Sequence, residues 1–183
     1  MTRWHILAML FMARIGLALQ FQTLGSVGDD LIVAFGLDYA GIGLLIGLFM
    51  VPGLFRARPV GFAGRFASDR VLAASGLCVL AIGGLISGAG AESWTIDLGR
   101  VLAGCASIFN SPRWLLTGSA NAMSILVMSW PFGIAMGQGG HAWLAEAYGW
   151  WVPFQVVPPY CIPAAVGLFL FPPTGRFRLF RFR

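Results

Sequence analysis

Three stretches without a single charged side chain constrain this sequence more than any motif: Val71–Ala91, Trp114–Ala145 and Ala147–Gly175. An α-helix needs roughly 20 apolar residues to cross hydrocarbon, and each stretch reaches that length. The whole chain agrees. It is 58% hydrophobic and 10% charged, with a mean hydropathy of +0.80, whereas soluble domains carry about 25% charged residues. The sequence therefore predicts an all-α integral membrane bundle.

In order along the chain, six spans are expected, at about 4–24, 39–64, 71–90, 96–117, 122–145 and 152–171. The first is too long for a signal-peptide core and lacks a small-residue cleavage pattern, so it reads as an uncleaved span. Asp29, Asp30 and Asp38 then mark a polar connection rich in turn residues, Gly25, Ser26 and Gly28. Gly41, Gly43 and Gly47 suggest a helix contact in span two, because small residues let backbones approach closely. Gly133 and Gly137 suggest the same in span five. Pro158, Pro159 and Pro163 predict a kinked or broken span six. Residues 1–175 form one domain on this reading, and 176–183 form a basic tail.

The net charge of +5 comes from twelve arginines and no lysine. They cluster at the ends of apolar segments, which reads as a topology signal and not as a nucleic-acid surface. With the amino terminus inside, Arg3, Arg65, Arg70, Arg113, Arg176, Arg178, Arg181 and Arg183 are cytoplasmic. Asp29, Asp30, Asp38, Glu92, Asp97 and Glu146 all fall outside. Positive residues are retained inside because their translocation is disfavoured. Both termini are thus expected in the cytoplasm, in a multi-pass inner-membrane protein.

Chemistry-bearing motifs are absent. Cys78, Cys105 and Cys161 lie in apolar spans as small hydrophobes, and His5 and His141 stand in distant segments without metal-ligand spacing. His141 reads either as a packed or interfacial ring or as a proton relay. No catalytic triad, phosphate loop or dinucleotide fingerprint occurs, so no enzyme, cofactor or metal is expected. The informative residues are polar groups inside the spans, where a charge costs about 2.5–3.5 kcal/mol on insertion scales. Arg14 has Leu10, Leu17, Ala18 and Phe21 as helical neighbours and no acid among them. It either attracts an anionic solute, or snorkels, or bonds backbone carbonyls. Arg100 either pairs with Glu92 or Asp97 or joins the solute pathway. Asn110 and Trp130 complete the pathway candidates. Gln20 and Gln22 approach the outer interface and are less informative, and Arg56 and Arg58 fit no simple helical face.

The segments DYAGIGLLIGLFMVPG, GFAGRFASDR, GRVLAG, AMSILVMSWPFGIAMG and GWWVPF occur in this order. Together they resemble the amino-terminal half of a major facilitator superfamily transporter, closest to the cyanate-permease-like bacterial branch. The resemblance covers nearly all of residues 4–171. Its turn departs from the usual pattern: Arg65 stands at the aspartate place, Phe66 at the arginine place, Ser68 at the glycine place and Asp69 where an arginine is usual. The resemblance implies a secondary transporter, or half of one, moving a small solute by alternating access. Arg14 and the cyanate-permease-like pattern point to a small anion moved with protons. Gly61, Gly64, Arg65, Asp69 and Arg70 are then a turn that controls conformational exchange. A second six-span half, or self-association, would complete the pathway. The alternative is a truncated, non-transporting membrane protein or an interaction subunit.

Overall fold

The computed structural model describes residues 3–55, 69–90, 92–109 and 120–170. Among them there are six helices and no strand: α1 (Arg3–Phe35), α2 (Tyr39–Leu54), α3 (Asp69–Ala89), α4 (Ser93–Phe109), α5 (Ala120–Tyr148) and α6 (Val152–Leu170). The chain is all-α. Among the described residues, two helical stretches are long and apolar enough to cross a membrane, Leu7–Phe35 with a mean hydropathy of 1.4 and Val71–Ala89 with 2.1.

The expected polar connection at Gly25–Asp30 is instead part of α1, which runs on to Phe35. Packing overrides the local preference for a turn. Leu24, Val27 and Leu31 are fully buried in one cluster with Ile42, Leu45, Ile96, Ala145 and Phe154, and Ser26 Oγ donates back to the Gln22 carbonyl. The break comes at Gly36, whose φ of 65° suits only a residue without a Cβ. Asp38 then caps α2 by accepting from Gly41 N at 2.7 Å. α2 ends at Leu54, short of the expected 64; 56–64 lie outside the described residues.

α4 begins at Ser93, with 110–117 outside the description. α6 runs unbroken through Pro158, Pro159 and Pro163. Neighbours steady it where backbone bonds are lost: Tyr160 Oη donates to the Met12 carbonyl of α1 at 2.7 Å.

Pairwise contacts fix the helix directions. Going up α1, Arg14 meets Ser129, Gln22 meets Gln138 and Thr23 meets His141, so α1 and α5 run parallel. α2 and α4 also run parallel, since positions 49 and 53 face positions 104 and 107. α3 opposes α4 and α6, and α6 opposes α1. Odd and even helices therefore run in opposite senses, and the three short links at 36–38, 90–92 and 149–151 share one end.

The five most extensive pairings are α1–α5, α3–α4, α3–α6, α2–α4 and α1–α6. Exchanging α1 with α4, α2 with α5 and α3 with α6 maps this set onto itself. Each exchanged pair runs antiparallel, so these five pairings have the pattern of two inverted three-helix repeats; the lesser α1–α2, α5–α6 and α1–α3 pairings fall outside it.

Glycines bring the backbones together. A Cβ on Gly83 would stand 2.6 Å from Ala103 N, and one on Gly84 2.9 Å from the Phe154 carbonyl oxygen. The glycines expected to form the span-two contact behave otherwise. Gly43 and Gly47 face open space, and Gly41 lies against its own cap residue, Asp38. α2 packs through Phe49 against Gly104 of α4 instead, so the small residue sits on the partner helix.

Candidate functional site

The polar residues of the interior converge on the middle of α1. With α1 extending from Arg3 to Phe35, its midpoint is near Leu19. Arg14 therefore lies roughly 7–8 Å toward the amino-terminal end, at 1.5 Å per residue, and not at mid-span. Its Nε donates to Ser129 Oγ of α5 at 3.2 Å, and Ser129 in turn donates to the Leu126 carbonyl at 2.6 Å. Arg14 is half-buried, and Ser129 is fully buried.

The residues nearer the midpoint carry more burial. Arg100 is completely buried. It does not pair with Glu92 or Asp97. Its Nη1 donates to the Gln20 carbonyl at 2.6 Å and its Nη2 to the Phe21 carbonyl at 3.4 Å. Its guanidinium carbon lies 4.6 Å from the Phe49 ring centre, where the negative face of the ring attracts a cation. These groups compensate part of the desolvation of the charge, and Nε has no partner among the described residues.

Trp130 is joined to this cluster through aromatics. Phe21 lies 5.6 Å from Trp130 and 5.7 Å from Phe49, centroid to centroid. Arg100, Phe49, Phe21 and Trp130 thus form a continuous seam across α4, α2, α1 and α5, and Arg14 sits below it beside Ser129. The structure brings together three of the four pathway candidates. The fourth, Asn110, lies outside the described residues. Gly61, Gly64, Arg65, Arg56 and Arg58 also lie outside them, and of Asp69 and Arg70 only the helical backbone, at the start of α3, is described.

Gly133 and Gly137 stand at the α1–α5 contact. A Cβ on Gly133 would be 2.6 Å from Ala18 Cβ, and one on Gly137 3.1 Å from Gln22 Cβ. This close approach lets the short side chains of Thr23 and Ser26 reach α5. The single Ser26 hydroxyl hydrogen is shared between the Gln22 and Gly137 carbonyls, whose oxygens lie 3.4 and 3.3 Å from Oγ, and Gln22 Nε2 donates to Gln138 Oε1.

Two polar residues in this layer were undervalued by the sequence. Gln20 is fully buried, with both side-chain polar atoms unpartnered among the described residues, and His141 is 2% exposed. His141 Nδ1 lies 3.3 Å from Thr23 Oγ1. A register count from the true end of α1 would have moved Gln20 from the interface to the interior, but nothing local announces that end. Among the described residues no group of acids, histidines and cysteines is arranged to hold a metal.

A shallow groove of about 210 Å³ opens between α1 and α2 near the linked end, lined in part by Leu24, Ser26, Asp29, Tyr39 and Ile42. It lies away from the two arginines. No protein-family model and no curated protein sequence matches the chain, so its function is argued from this geometry.

Proposed function

We propose that the chain is a six-span, transporter-type membrane bundle with both termini cytoplasmic, which moves a small anion by alternating access. The observation that carries this reading is the inverted three-helix repeat. Secondary transporters commonly use such repeats, with substrate near the bilayer midplane at the interface between repeats. Each repeat here has an arginine on its first helix: Arg14 on α1 and Arg100 on α4. Interior arginines are costly in hydrocarbon and mark pathways for charged solutes.

The two arginines divide the work. Arg100 is spent on α1 carbonyls and holds α1 against α4. Arg14 is half-buried, and a guanidinium suits a carboxylate or small inorganic anion better than a neutral solute. The multi-pass inner-membrane location belongs to the same proposal, as does the role of the Gly61–Arg70 turn in conformational exchange. In a complete assembly, a second six-span half or a second copy supplies the other wall of the pathway.

The test is anion uptake into proteoliposomes by the full chain, alone and with a candidate second half, for parent, Arg14→Gln and Arg14→Lys. Arg14→Gln is expected to lower anion affinity and Arg14→Lys to rescue it in part, since lysine keeps the charge but loses the two-point fork. Unchanged affinity in a folded Arg14→Gln protein removes Arg14 from the site.

One observation favours the non-transporting interaction subunit as the second reading. Leu44, Val127, Met128, Phe132 and Met136 form exposed apolar surface on α2 and α5. A stoichiometric complex that binds no anion in any assembly would select that reading.

A further inference from the structure

We propose that His141 is the proton-carrying group of the transport cycle, exchanging its proton when α1 and α5 separate. This rests on the transporter reading above and names the group that would couple the anion to protons.

The hydrogen bonds favour one ring tautomer. Thr23 Oγ1 carries one hydrogen and lies 3.1 Å from the Leu19 carbonyl oxygen, which can only accept. With that hydrogen donated to Leu19, the oxygen faces His141 Nδ1 as an acceptor at 3.3 Å. The consistent arrangement is Nδ1–H donating to Thr23 and Thr23 donating to Leu19. Nε2 is then left as a bare lone pair.

Nε2 is buried and has no partner among the described residues. Neutral imidazole is tolerated in this setting, because its one N–H is satisfied. A second proton would add a full charge where no counter-charge lies close. Thr23 is the α1 side chain against the ring, and its neighbours Gln22 and Ser26, which bond Gln138 and Gly137 of α5, are likewise uncharged. Further along the two helices stand Asp29 and Asp30 on α1 and Glu146 on α5, all exposed at the linked end, while Arg100 of α4 holds the Gln20 and Phe21 carbonyls of α1. From α6 and the link before it come Trp150 and Phe154, which pack with Ala145.

Protonated His141 is therefore poorly matched to the closed α1–α5 contact and well matched to a wetter, opened one. The link to transport is mechanical. α1 residues 20–23 are held by Arg100 on one side and His141 on the other, and Arg14 lies two turns below on the same α1–α5 seam. A proton that opens this seam also changes the setting of Arg14. The proton enters at Nε2 from one side of the membrane and leaves the same atom when the seam closes toward the other. No other group gains or loses a proton, while the Thr23, Gln22 and Ser26 contacts across the seam loosen as it opens.

The chain has two histidines, so ring-¹⁵N NMR in lipid nanodiscs reports His141 alone once His5→Gln is introduced. The expected result is an Nδ1–H ring at neutral pH that charges on acidification. At the same pH, amide exchange in α1 residues 19–26 and α5 residues 137–145 should rise about tenfold, as local opening exposes backbone. His141→Gln at matched pH should abolish the rise. Charging without the rise, a rise that persists in His141→Gln, or a ring that never charges overturns the proposal.

If His141→Gln fails to fold, Thr23→Val serves instead. It removes the oxygen that favours this tautomer, so the tautomer and the pH of opening should shift together. If neither moves, the proposal fails. These readings need no substrate, so their failure is distinct from failure of anion uptake.

Discussion

Arg100 is the residue on which most of the interior depends. It buries a full charge yet finds no acid, and it is held by two carbonyls of α1 and the face of Phe49. A charge-assisted hydrogen bond is worth about 1.5–3 kcal/mol. We expect Arg100→Lys to lower thermal stability in detergent by about that amount, because an ammonium cannot reach both carbonyls with a planar fork. Melting that matches the parent would mean that the two bonds contribute nothing. The partners of Arg100 were beyond the reach of the sequence: they lie about 80 positions away and are main-chain atoms, which carry no residue signature. Glu92 and Asp97 were the nearest acids in the chain, and nearness along the chain misled. Gly133 was readable, since a glycine beside bulky residues in an apolar helix marks a close crossing. Gly133→Leu should destabilise by about 1–3 kcal/mol through overpacking against Ala18, measurable as a lower unfolding midpoint.

At the scale of elements, α1 and α2 show where local preference loses to packing. Gly25, Ser26, Gly28, Asp29 and Asp30 together favour a turn, and in isolation they would make one. Here the stripe of Leu24, Val27 and Leu31 buries against α2, α4, α5 and α6 and carries the helix through. Two substitutions separate helix from turn. A Cβ at Gly28 would meet Ile42 Cγ2 at an ordinary 3.6 Å, so Gly28→Ala should stabilise the helix by up to about 1 kcal/mol. Gly36 has a φ of 65°, so Gly36→Ala should destabilise by about 1 kcal/mol. Thermal melts of the two variants should move in opposite directions. The glycines of α2 were misread for a related reason: their spacing permits a close contact but does not say which helix uses it. Gly43 and Gly47 face outward, and Gly104 on the facing helix makes the approach.

At the largest scale, the six helices among the described residues and their alternating direction were legible because apolar runs and their polar interruptions repeat along the chain. The inverted repeat was not, because it is a relation between contacts and leaves no repeated motif in the residues. The proposed topology predicts that reporters fused at Leu37, Glu92 and Gly149 read outside, and one fused at Arg183 reads inside. A single contrary signal breaks the six-span arrangement.

The three short links bear on how such a chain would enter a bilayer. Each joins two helices across about three residues, and all three lie at one end of the bundle. Helices tethered this tightly can enter as hairpins, α1 with α2, α3 with α4 and α5 with α6. On the proposed six-span arrangement, each hairpin would carry only a short tip across the lipid. The tips at 36–38, 90–92 and 149–151 hold two acids, Asp38 and Glu92, and no arginine. Biogenesis on this plan would proceed in three self-contained insertions, each leaving the chain on the side where it began, without export of a large hydrophilic loop.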